Sequence, residues 1–129
     1  MDFTLNKRPV HSLKKKELGQ MGESLAVAYL QEAGLRIIQQ NYRCPKGELD
    51  IVARDGEYLV FVEVRTRTSA KRGTAEESIS GKKAQKLKTL AAYYLLERGF
   101  KEWPPLRFDV VAINVISRQP VINWIKNIF

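Results

Sequence analysis

Cysteine and histidine are almost missing from this chain of 129 residues, where Cys44 and His11 each stand alone. One thiol allows no intramolecular disulfide and no cysteine-based zinc site. His11 lies in a polar, basic N-terminal segment, so histidine general-base chemistry and multi-histidine metal sites are nearly excluded. No apolar run approaches the length of a membrane span. Residues 1–13, with Lys7, Arg8 and Pro9, lack an apolar core of signal-peptide length and read as a loose basic tail. The chain is therefore expected to be cytoplasmic, without a membrane partner. Acid is also scarce: 14 Asp and Glu stand against 22 Lys and Arg, a formal charge of +8. That balance points to a polyanionic partner, nucleic acid first, with a merely basic surface as the plain alternative.

What is present suits one domain. A content of 44% apolar and 28% charged residues fits a soluble globular protein, and the length allows one real core but not two. We find no internal repeat and no linker, so residues 14–129 are expected to form a single domain. Leu18, Met21, Leu25 and Ala28/Tyr29 recur at helical spacing within 14–33, and Gly34 stands at the stop position. Gly19 and Gly22 weaken that helix, each at about 1 kcal/mol. Residues 35–43 read as a strand ended by Pro45-Lys46-Gly47. Two further strands, 48–54 and 57–65, flank Asp55-Gly56, a strong two-residue turn signal. Residues 66–77 look like an exposed, basic, mobile loop. A second helix over 80–98 places Ala84, Leu87, Leu90/Ala91 and Tyr94/Leu95 on one face. Residues 106–115 are apolar enough for a covered central strand, and 121–125 add a short one. The order α-β-β-β-α-β-β predicts an α/β fold, a mixed β-sheet flanked by helices.

The hairpin carries the chemistry. With Asp55-Gly56 as the turn, Asp50 opposes Phe61 and Glu48 opposes Glu63. The period of two then puts Glu48, Asp50, Phe61, Glu63 and Arg65 on one face, and Tyr58, Val60, Val62 and Val64 on the other. Asp50 and Glu63 become diagonal neighbours, with Cβ atoms on the order of 6–8 Å apart. Like charges so placed repel, and unpaired burial costs several kcal/mol. A divalent cation relieves both problems. Oxygen-only ligands favour Mg²⁺ or Mn²⁺ over zinc, and Mg²⁺ keeps waters that can be activated as nucleophiles. A salt-bridged hairpin end, with Glu48 and Glu63 paired to Arg65 and Lys46, fits the same pattern.

Several motifs occur in order: Gly22-Glu23, Asn41-Tyr42-Arg43, Gly47-Glu48-Leu49-Asp50-Ile51-Val52-Ala53, Phe61-Val62-Glu63-Val64-Arg65-Thr66-Arg67 and Arg107-Phe108-Asp109-Val110-Val111. Together, from about residue 17 onward, they resemble the YraN-like family of uncharacterised bacterial proteins. That family looks like a branch of the restriction-endonuclease-like superfamily, related to archaeal Holliday junction resolvases. The superfamily signature is an aspartate, then Glu-x-Lys on the next strand, often with a glutamate from the first helix. The resemblance implies a catalytic set of Glu23, Asp50, Glu63 and Arg65. It also implies a metal held by Asp50, Glu63 and the Val64 carbonyl, with Glu23 in contact directly or through water. Arg65 stands where lysine is expected. Arginine suits phosphate charge but is a very poor base, with a pKa above 12. Lys83 matches a lysine of the family pattern and could substitute in contacting phosphate, although a solvated helix charge is the simpler role. Gln85 is a weaker candidate.

Residues 65–88 hold Arg65, Arg67, Lys71, Arg72, Lys82, Lys83, Lys86 and Lys88 against only Glu76 and Glu77. Such a basic stretch suits tracking of a phosphate backbone, which carries little sequence information. The expected function is metal-dependent hydrolysis of phosphodiesters in DNA, rather than RNA, that is branched, flapped or single-stranded. The alternative is a nucleic-acid-binding module of the same fold that cleaves little or nothing. Trp103 and Trp124 read as core or interface anchors, and Asp109 as a structural partner of Arg107. Dimerisation is expected by analogy with junction resolvases.

Overall fold

A computed structural model describes residues 14–68 and 73–128. Helix α1 (Lys15–Glu32) leads into strands β1 (Arg36–Cys44), β2 (Gly47–Asp55) and β3 (Tyr58–Arg67). Helix α2 (Gly81–Glu97) crosses over to β4 (Leu106–Ile116), and β5 (Gln119–Ile125) follows. The strands form one sheet in the order β1-β2-β3-β4-β5, parallel between β3 and β4 and antiparallel elsewhere. This is the α-β-β-β-α-β-β order expected from the periodicity. Among the described residues the one parallel pair is the one that α2 connects, as a crossover demands.

Each helix covers one face. Met21, Leu25, Ala26 and Leu30 of α1 pack on Ile51, Ala53, Val60, Val62, Val111 and Ile113. Leu87, Leu90, Ala91, Tyr94 and Leu95 of α2 pack on Tyr42, Leu49, Val52, Leu59 and Phe61. The strands at the centre are apolar on both faces because both are covered. A glycine fixes the seating of α1: a Cβ on Gly22 would lie 2.0 Å from Thr66 Oγ1 on β3. A side chain there would force either Thr66 or the helix, and Glu23 with it, to shift.

Three expectations need correction. The hairpin turn is Gly56-Glu57, with Asp55 opposite Tyr58, so the register differs by two from the one expected. Asp55 stays in the strand because its carboxylate is bound by Arg107 Nη1 at 2.8 Å. The pairs Glu48–Glu63 and Asp50–Phe61 therefore do not form; Val52 opposes Phe61 instead. The stretch 66–77 is not loop throughout. Thr66 and Arg67 extend β3, and Glu76–Ser78 form a single 3₁₀ turn behind the fully buried Ala75. The segment is tied to β4, since Asn114 Oδ1 accepts from the Ala75 N–H (2.9 Å) and Asn114 Nδ2 donates to Glu76 (2.7 Å). Finally, Trp103 is half exposed and outside the core clusters, whereas Trp124 packs against the α1 side of the sheet.

Candidate metal and phosphate site

The site begins with a fault in two strands. Leu49 and Val52 both face α2, although three residues apart, while Ile51 and Ala53 face α1. A regular strand alternates, so β2 loses its period between Leu49 and Ile51. Its neighbour does the same: Gln40 pairs with Ile51, Tyr42 pairs with Leu49, and Asn41 between them has φ +54°. Asn41 and Asp50 face each other at the break. Asparagine is among the few residues that enter the left-handed region without large strain.

The break frees Asp50 from strict alternation, which would have kept it on the α2 face with Val52. Beyond the pair Ile51–Val62, the Val64 N–H donates to the Asp50 Oδ2 at 2.9 Å. The carboxyl thus sits in the fork between β2 and β3. Ligand oxygens of Glu23 from α1, Glu48 and Asp50 all lie within 4.8 Å of one another. The Asn41 amide, oriented by its partners, donates to Glu48 Oε1 (2.6 Å) and Glu23 Oε1 (2.9 Å). Glu63 lies in electrostatic range of Asp50, and its Oε1 is 3.4 Å from Arg65 Nε. On the rim, Arg43 Nε meets Glu48 Oε2 at 3.4 Å.

Crowding leaves its mark on the acids. Burial, then Glu63, Glu23 and Glu48, push the Asp50 carboxyl up to about 7, against the opposing pull of the Val64 N–H. Glu23 is raised by burial and by Glu48 and Glu63. Burial also raises Glu63, with Arg65 and Lys86 pulling the other way. Lys86 reaches the cluster because Gly47, at φ +138°, has no side chain: a Cβ there would stand 3.0 Å from Lys86 Cε. Lys83, Lys86, Glu48, Glu63 and Arg65 share a pocket of about 170 Å³ on the α2 side. Glu23, Asp50, Arg65 and Arg67 share a larger one, about 340 Å³, on the α1 side.

Of the residues singled out from sequence, Glu23 and Asp50 come together, and Glu63 joins them at longer range. Arg65 lies between the two pockets, and Val64 contributes its N–H. Arg67 ends β3 inside the larger pocket. Lys83 and Lys86 line the smaller pocket, whereas Lys82 and Gln85 are exposed and line neither. Lys71 and Arg72 lie outside the described residues. Lys15 and the place of Glu48 beside Glu23 and Asp50 escaped the sequence, and Asn41 entered it only within a motif, with no role. The signal for Asn41 was an asparagine inside an otherwise strand-like run.

This geometry sits within a recognisable lineage. The model of the Uncharacterised protein family UPF0102 matches residues 22–113. The chain belongs to this family. A UPF0102 protein of Moorella thermoacetica is 51% identical over 120 residues, covering 92% of this chain and 99% of that relative. One of Desulfitobacterium hafniense is 50% identical over 117 residues, covering 88% and 97%. A UPF0102 protein of Legionella pneumophila is 41% identical over 114 residues, covering 88% and 95%. The matched UPF0102 segment begins at Gly22 and takes in Glu23, Asn41, Glu48, Asp50, Glu63 and Arg65. Among the described residues, no helix is long and apolar enough to cross a membrane.

Proposed function

We propose that this UPF0102 protein is a Mg²⁺- or Mn²⁺-dependent phosphodiesterase acting on nucleic acid, with DNA the preferred class. One observation carries the reading: three carboxylates from two elements converge within 4.8 Å, and among the described residues the ion pair that reaches them is Arg43 on the rim with Glu48, which leaves Glu23 and Asp50 without a cation. A fold gains nothing from such an arrangement unless something positive joins it. The donor set is all oxygen, which suits a hard divalent cation. Glu23, Glu48 and Asp50 would hold it, with Glu63 reaching in from β3. Such an ion lowers the pKa of water and neutralises charge on a phosphate.

The remaining residues position and balance charge. Asn41 holds Glu23 and Glu48 at a fixed separation, so their oxygens are preorganised. The Val64 N–H fixes one oxygen of Asp50. Arg65, always charged, faces both pockets and offers a planar fork to phosphate. It is too poor a base to take a proton from water, so proton transfer falls to a carboxylate of the cluster or to solvent. Lys86 supplies positive charge from α2 where Arg65 replaces the expected lysine.

The second reading, a binding module that cleaves little, is favoured by the Arg65–Glu63 ion pair, which occupies a cation and an acid with each other. One assay separates the two. Purified protein is mixed with branched, flapped and linear DNA in Mn²⁺, Mg²⁺ or EDTA. The proposal expects metal-dependent cleavage, abolished by Asp50→Ala and Glu63→Ala. Tight, salt-sensitive binding without cleavage, indifferent to metal, would instead establish the binding module.

A further inference from the structure

The pocket on the α1 side has a second wall that the metal cluster does not use. Besides Glu23 and Asp50 it is lined by Lys15, Arg65 and Arg67, and by Gly19 of α1. Two observations say that something is missing there. The Nε atoms of Arg65 and Arg67 are buried, and among the described residues neither makes a hydrogen bond. The 3.4 Å approach of Arg65 Nε to Glu63 is an ion pair by distance but not aligned as a hydrogen bond. Buried guanidinium donors without acceptors are costly and rare. Both residues line the pocket, so with a small shift of their side chains an anion there would supply the acceptors.

The second observation is Gly19. It sits inside α1, where glycine is a poor helix former, yet a Cβ there would meet nothing within 4 Å. Gly22, three residues on, is required by Thr66; Gly19 is required by no packing. Gly19 lines the pocket, and a side chain there would extend into open space. At about 340 Å³ the space is the size of a small-ligand site, enough for a nucleotide but not for a double helix.

We infer that this pocket seats a backbone phosphate of an unpaired nucleic-acid strand, bonded to Arg65 and Arg67 beside Lys15, with the strand passing over Gly19. The inference rests on the proposed function only in taking nucleic acid as the ligand; it requires no cleavage. It makes single-stranded or flapped substrate the class the site accepts.

The test is fluorescence anisotropy with a labelled single-stranded DNA oligonucleotide and a blunt duplex of equal length, in EDTA. The wild type should prefer the single strand. Arg67→Gln should weaken that binding roughly tenfold and flatten its salt dependence by about 0.7 in slope. Gly19→Leu should also weaken it while raising the melting temperature, since leucine is the better helix former. Lys101→Gln, an exposed charge away from the pocket, controls for net charge and should change affinity less than twofold. A wild type that prefers duplex would overturn the inference. So would a folded Gly19→Leu variant with unchanged single-strand affinity. If the predicted pattern appears while Mn²⁺ yields no cleavage, the phosphodiesterase reading fails and the phosphate seat stands. If cleavage occurs but Gly19→Leu binds normally, the reverse holds.

Discussion

Asp109 on β4 is fully buried, and every side of its carboxylate is met: Arg107 donates from Nε (3.0 Å) and Nη2 (2.9 Å), Trp124 from Nε1 (2.9 Å), and Asn127 from its backbone N–H (3.0 Å). Arg107 is itself shared with Asp55 at 2.8 Å. Asp50 on β2, also within the sheet, accepts one N–H and faces three further carboxylates. The residue type is the same, but Asp109 is fully buried and Asp50 half-buried, and only the deeper acid is neutralised by its own fold. The Asp109 network ties the hairpin end, β5 and residue 127 together, so its purpose is complete within the chain. The Asp50 cluster is electrostatically incomplete, and that separates a structural acid from a candidate ligand.

The comparison can be broken at several points. The largest effect is expected from Asp109→Ala, which leaves Arg107 with Asp55 alone and takes the acceptor from Trp124 Nε1 and the Asn127 N–H, and should cost about 3–4 kcal/mol in urea unfolding. A loss below 1 kcal/mol would mean that the network is ornamental. The pH dependence of the metal-free protein comes next. The folded-state pKa of Asp50, about 7, lies above its ordinary value of 3.8. A group raised in this way stabilises the fold fully below pH 3.8 and loses that contribution as pH rises through 7. In EDTA, stability should therefore fall by on the order of 2–4 kcal/mol between pH 4 and 8 relative to Asp50→Asn. Parallel curves for the two proteins would show that Asp50 is not strained. Gly22→Ala should cost about 1–3 kcal/mol through overpacking on Thr66, with Thr66→Ala in the same chain restoring most of it; failure of the rescue would place the strain elsewhere. The smallest effect expected is on rate: Arg65→Lys should raise any cleavage roughly tenfold by restoring a group able to exchange protons. An unchanged or lower rate would mean that position 65 does not limit the chemistry.

Much of this architecture was legible in the residues. Period-two and period-3.6 patterns place every helix and strand because each is amphipathic or buried in a recognisable way. Glu23, Asp50 and Glu63 stand out as charges set among apolar neighbours. The hairpin register was not legible, because Asp-Gly signals a turn but does not say whether the aspartate takes a central position or the last strand position before it. Here Asp55 is held in β2 by Arg107, a partner far away in sequence. The paired break at Asn41 and Asp50 was hidden for a similar reason. It depends on both strands losing alternation together, and nothing local in either announces it. Arg67 was read as loop because its neighbours Thr66, Thr68 and Ser69 are polar, whereas pairing with β4 carries the strand through it.

The claim that the Asp50 cluster lacks only a cation is tested most directly by titrating the protein with Mn²⁺ in a calorimeter at pH 7.5, alongside Asp50→Asn. The account predicts saturable binding of one ion to the wild type with release of protons, since the carboxyls must deprotonate to bind, and loss of that binding in the variant. Equal binding to both proteins, or no saturable binding to the wild type, would contradict it.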